Sequence, residues 1–360
     1  MYSESDLNAA VEAGALSPAA AAAFRAHVAT TRSSPAVDEE QFRLVTGFND
    51  IFVTIAIVLL LVALGQLGAA ASWALGAGLV TVAAWGLAEY FTARRRMALP
   101  SIVLLLAFVG GIGWTLFGAL YDATAAMSTG PFAPGATQPG ETNVAATLIF
   151  AGIAAAMTLG AWAHWRRFHV PITIAAGAAS LVAVAVLLLA ALIPWSATPW
   201  IATFVGGLAT FALAMRWDLS DRERRTRRSD VAFWLHLAAA PMIAHPIFHW
   251  LGVFGGDLDG GTAIAVLALY LVFAALALAI DRRALLVSGL AYVLYAMAAL
   301  IRSTGAVELS AAITALVIGS ALLCLSAFWQ TMRRPVVSAL GRLGERLPPT
   351  TQPTVAAAAA

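Results

Sequence analysis

The chain contains no lysine and one cysteine in 360 residues, and only 11% of its side chains are charged. Each shortage excludes something. A single thiol, Cys324, rules out an intrachain disulfide and offers no CxxC zinc site; set in an apolar run, it reads as a small core residue. So little charge beside 61% hydrophobic residues argues against an ordinary soluble domain. No GxxxxGK[ST] is present to cradle a nucleotide, so an ATP-driven pump would need another subunit, and GxSxG and HExxH are missing too. All 21 basic residues are arginine, which with the abundant alanine points to a GC-rich bacterial genome.

What the chain does have is repeated apolar runs of about twenty residues, each matching the hydrocarbon thickness of a bilayer. Ten spans are expected, at 48–67, 69–91, 100–120, 144–164, 171–193, 199–217, 231–254, 262–280, 284–304 and 309–329. Pro100, Pro171 and Pro199 fall where a first helical turn tolerates proline. With the N-terminus inside, 20 of the 21 arginines lie on the cytosolic side and only Arg302 lies outside. The loop 121–143 has no arginine and fits the outer side. The expected fold is therefore all-α: a polytopic integral membrane helical bundle, N-in and C-in, in a bacterial inner membrane. Gly152, Ala156 and Gly160, and likewise Gly206, Thr210 and Ala214, repeat at the four-residue spacing that lets membrane helices approach.

Flanking segments complete the layout. Residues 1–32 begin with acids rather than a basic, apolar start, so they do not read as a secretory signal. They read instead as a cytosolic helical hairpin, with Leu7, Val11 and Ala15 on one face. Ser17 and Pro18 open the second helix, where Phe24 and Val28 stand four apart. This leader either rests on the bundle or docks a protein partner or a second copy. Residues 33–47 form a polar linker. In 330–360, Val336, Leu340, Leu343 and Leu347 share a face of a short interfacial helix weakened by Gly341 and Gly344, ahead of a disordered tail.

The stretch Leu7–Val28, LNAAVEAGALSPAAAAAFRAHV, followed by a linker and many spans, resembles bacterial predicted membrane protein families of unknown function that carry such a leader. GFNDIF (Gly47–Phe52) and HLAAAPMIAHPIF (His236–Phe248) are similar to stretches of such proteins. The resemblance implies topology and carries no activity.

Polar groups inside the spans are the leads to function, because ionisable residues there are costly. The seventh span holds three of the six histidines, His236, His245 and His249, with Pro241 and Pro246. Each proline frees a carbonyl, that of Leu237 or Met242, and the three histidines either satisfy such groups at a kink or, if the prolines break the span, line a polar pathway or binding pocket. His245 and His249 are four apart and are weak candidate metal ligands. Asp50 and Glu89 lie at the depth of His236, and opposed spans could set either against it as a proton-exchanging pair. Otherwise Asp50 sits at a helix's positive end and Glu89 pairs with Arg94–Arg96 or Arg43. Arg222, Arg224, Arg225, Arg227 and Arg228 could grip anionic lipid headgroups or set topology; the mixed charge of 216–230 does not fit nucleic acid.

No catalytic residue or cofactor follows from these patterns. The first reading is a non-enzymatic regulatory or scaffold protein that recruits a partner through its leader. The alternative is a secondary transporter or channel with a mid-membrane site at the seventh span. A metal- or haem-binding membrane enzyme is the third reading.

Overall fold

The computed structural model describes residues 10–14, 16–24, 48–127, 143–221, 226–253, 260–303 and 310–348, and the regular structure among them is all helical. The chain divides into two units, Met1–Phe42 and Arg43–Ala360. In the first, residues 10–12 and 18–24 are helical, and Gly14 turns the chain at φ +70°. Ser17 Oγ accepts the N–H of Ala20 at 3.1 Å, which is the expected cap. Leu7, Ala15, Val28 and the 33–47 linker lie outside the described residues.

The second unit is a run of helices: α1 (Phe48–Ala69), α2 (Trp73–Ala88), α3 (Ala98–Met127), α4 (Val144–Phe168), α5 (Ile172–Leu192) and α6 (Thr198–Ser220). Then come α7 (Arg227–Trp250), α8 (Gly260–Ile280), α9 (Ala284–Ser303), α10 (Ser310–Ala327) and α11 (Trp329–Ala339). A π-helical stretch, Glu89–Arg94, prolongs α2, and a 3-10 turn, Gly341–Arg346, follows α11. Side chains close several ends: Ser72 accepts from Leu75 N–H, Asn143 from Ala146 and Thr226 from Arg228.

Among the described residues, eight helices are long and apolar enough to cross a membrane, and nine if α10 and α11 count as one span bent by 75°. The remaining apolar piece, Gly289–Arg302 of α9, is shorter. Large apolar side chains cover the outside: Val82 is 74% exposed, Leu271 70% and Leu59 65%. Water would penalise that surface and hydrocarbon would not, so this is a multi-pass membrane protein.

Sequential helices pair as hairpins, most extensively α2 with α3, α4 with α5, and α6 with α7. Backbones touch where glycine permits it. A Cβ on Gly68 of α1 would lie 2.6 Å from Gly76 Cα of α2, and one on Gly207 of α6 would lie 2.8 Å from Met242 Cβ of α7. On the expected small-residue stripes, Gly160, Thr210 and Ala214 are buried, whereas Gly152 is exposed and meets nothing.

Two expectations change. The helix after the last span is Trp329–Ala339, not one through Val336 and Leu347, because Gly341 at φ +51° turns the chain into the 3-10 segment. Cys324 is exposed on α10 rather than in the core.

Position in the bundle singles out α7. Half of its most apolar stretch is buried, against 17–33% for the other seven spans. It packs against α5, α6 and α9. Both prolines, Pro241 and Pro246, lie inside one continuous helix, so the break that would bring His236 together with His245 and His249 does not occur.

Candidate functional site

Three buried residues meet where α6 ends and α7 begins. On α6, Thr210, Ala214 and Asp218 are four apart, which puts them on one face, and all three are buried. That face leads Asp218, 3% exposed, onto His236 of α7, which is fully buried. Asp218 Oδ2 lies 2.9 Å from His236 Nε2. A carboxylate only accepts, so Nε2 carries the hydrogen and donates it.

The third member is Arg282, in the α8–α9 turn and 2% exposed. Its Nε donates to Asp218 Oδ2 at 3.1 Å and its Nη2 to Oδ1. Nη2 also reaches the carbonyl and hydroxyl oxygens of Ser229, each at 3.2 Å. A planar fork across both carboxylate oxygens is the geometry for which arginine is suited and lysine is not. Desolvating two charges costs several kcal/mol each, and only this density of hydrogen bonding offsets it.

The turn carrying Arg282 is itself fixed. Asp281 caps α8 at φ +59°, and the Arg282 N–H closes back on the Ala277 carbonyl at 2.9 Å. Asp281 Oδ1 accepts the Trp329 indole N–H at 2.7 Å. Arg283 stacks over the Trp329 ring at 4.9 Å. Arg333, fully buried, donates to the carbonyls of Leu278, at 3.1 Å, and Pro348, with Asp281 Oδ1 3.7 Å away.

The other candidate residues go elsewhere. His245 Nδ1 is hydrogen-bonded to the Tyr292 hydroxyl of α9. Trp200 of α6 stacks on His249 at 3.8 Å and lies 5.5 Å from His245. Among the described residues, no three His, Cys, Asp or Glu side chains gather where a metal could be held. Glu89 pairs with Arg167 of α4, Nε to Oε1 at 2.9 Å, and not with His236 or with Arg94–Arg96. Asp50 is buried in the first turn of α1, where Thr54 Oγ1 bonds its carbonyl at 2.6 Å. Arg227 and Arg228 are exposed at the start of α7, while Arg222, Arg224 and Arg225 lie outside the described residues.

A second buried histidine, His164 of α4, sits among Trp85, Phe108 and Phe168 at centroid distances of 4.6–6.1 Å. Its Nδ1 is 3.2 Å from Thr173 Oγ1 and its Nε2 has no hydrogen-bond partner.

Sequence reasoning found His236 and missed Asp218, Arg282, Tyr292 and Trp200. One signal for Asp218 was legible: the small-residue stripe Gly206–Thr210–Ala214 reaches it in one more step of four.

Compared with protein-family models, with curated proteins and with solved structures, the chain matches none of them.

Proposed function

We propose that the chain is a ten-span protein of a bacterial inner membrane, with both termini on the cytosolic side, acting as a regulatory or scaffold protein. Ten apolar runs and the one-sided distribution of arginine support the topology. Reporter fusions within 121–143 and 216–230 test it: opposite compartments are expected, and one shared compartment would overturn the layout.

A single observation carries the functional half of the proposal. Asp218, His236 and Arg282 are spent on one another, joining α6, α7 and the α8–α9 turn. A continuous α7 also favours this reading over a transporter built on a discontinuous helix. A cluster whose charges are used within the bundle supports a non-enzymatic role, with recruitment by the leader 1–32. Deleting residues 1–40 is expected to abolish in-cell cross-links to the partner or second copy while the bundle still inserts. Unchanged cross-links and phenotype would remove this reading.

The alternative of a secondary transporter or channel keeps one supporting observation, the placement of three histidines along the most buried span. Unaltered proton or solute flux after His245→Ala and His249→Ala would dispose of it.

A further inference from the structure

α11 departs from α10 at 75° and presents three different faces. At 3.6 residues per turn, Trp329, Arg333 and Val336 share one side, fully or partly buried against the bundle, and the partly buried Gln330 and Val337 border it. Phe328, Met332, Pro335 and Ala339 share a second side and are all exposed, Phe328 to 55% and Met332 to 41%. Thr331, Arg334 and Ser338 share a third side and are exposed as well. A helix in water has no use for the second face, and a helix crossing hydrocarbon has none for the third.

The buried face connects α11 to the charged cluster through a chain of hydrogen bonds. Trp329 donates to Asp281, Arg333 bonds the last turn of α8 through the Leu278 carbonyl, and the next residue after Asp281, Arg282, holds Asp218 and Ser229. Trp329 also packs in one apolar cluster with Ala240 of α7, one turn beyond His236. The left-handed Asp281 sets the two neighbours on opposite errands, its own carboxylate toward α11 and the Arg282 guanidinium toward α6 and α7.

We propose that α11 is a membrane-surface lever: it lies in the headgroup layer of the bilayer, and its position is transmitted through the Asp281–Arg283 turn to the buried contacts that join α6 to α7. The occupant of the Phe328–Met332–Ala339 face is the bilayer itself, because α11 follows directly on the apolar helix α10. Arg334, and Arg342 just beyond the helix, are both exposed and meet lipid phosphates. This adds a lipid input to the regulatory reading, and it fails separately from the leader, since neither measurement below involves residues 1–40.

The first measurement places α11. In the full chain carrying Cys324→Ala, single cysteines at 328, 332, 331, 334 and 338 are spin-labelled in phosphatidylethanolamine–phosphatidylglycerol vesicles. Labels at 328 and 332 are expected to collide with oxygen in preference to a water-soluble nickel chelate, and labels at 331, 334 and 338 to show the reverse. Nickel access at 328 and 332 equal to that at 334 would mean a helix in water. Oxygen preference at 334 and 338 would mean a helix inside the membrane. Either result overturns the proposal.

The second measurement tests transmission by amide hydrogen exchange. Trp329→Phe keeps an aromatic ring at the site and deletes the bond to Asp281, and Asp281→Gly deletes the same bond while keeping the left-handed turn. Each is expected to lower protection of the amides at 230–236 in α7 by about fivefold, the factor one ordinary hydrogen bond confers. Protection lost only in α8 and α11 would show that nothing is transmitted.

Discussion

Asp218→Asn isolates the central interaction with almost no change of volume. The asparagine keeps one oxygen to accept from His236 or Arg282 but no longer cancels the guanidinium charge, and Arg282 is only 2% exposed. Breaking a buried pair by neutralising one partner costs about 3–5 kcal/mol, because the other charge stays buried. Asp230 is near enough to attract Arg282, which places the expectation toward the lower end. At 1.4 kcal/mol per tenfold, the folding equilibrium should fall by about two to four powers of ten. The assay is equilibrium unfolding in mixed lipid–detergent micelles titrated with a denaturing detergent. Arg282→Met and the double variant complete a mutant cycle, with a coupling of about 1–3 kcal/mol expected between the two sites. A shift for Asp218→Asn within about 0.5 kcal/mol of the parent would show that the carboxylate is effectively solvated, and the argument from burial would be refuted.

The same assay checks three more variants. Gly207→Ala drives a methyl to within 2.8 Å of Met242 Cβ and should destabilise by about 1–3 kcal/mol, whereas Gly152→Ala meets nothing within 4 Å and should not destabilise. His164→Phe combined with Thr173→Val removes both partners of a buried bond along with an unpartnered Nε2, so it should be neutral or stabilising, while His164→Phe alone should be worse than the pair. Glu89→Gln breaks an ion pair whose side chains are 53% and 38% exposed, and should cost no more than about 1 kcal/mol.

Helices were legible from the sequence because length and hydropathy act locally: a run such as Phe48–Ala69 has few other ways to satisfy its backbone in lipid. The site was only half legible. His236 stood out as an ionisable group in an apolar run. Asp218 was hidden in the charged string after residue 215, where the expected span ended at 217 although α6 continues to Ser220. Arg282 lies 64 residues from Asp218, and no periodicity predicts a pairing of that range. Glu89 found Arg167, 78 residues away, rather than the nearer arginines, for the same reason. For the broken-span reading Pro241 and Pro246 misled in the opposite sense: each proline removes one helical hydrogen bond, yet α7, packed on several sides, stays continuous through both.

The 64-residue separation between Asp218 and Arg282 has a consequence for biosynthesis. At about 5–20 residues per second, the ribosome makes Asp218 about 3–13 s before the guanidinium that will neutralise it exists. During that interval the newly made α6–α7 hairpin carries Asp218 and His236 without the guanidinium that Asp218 holds in the finished bundle. The Asp218–Arg282 contact that ties the hairpin into the finished bundle therefore forms only once the α8–α9 turn has been made.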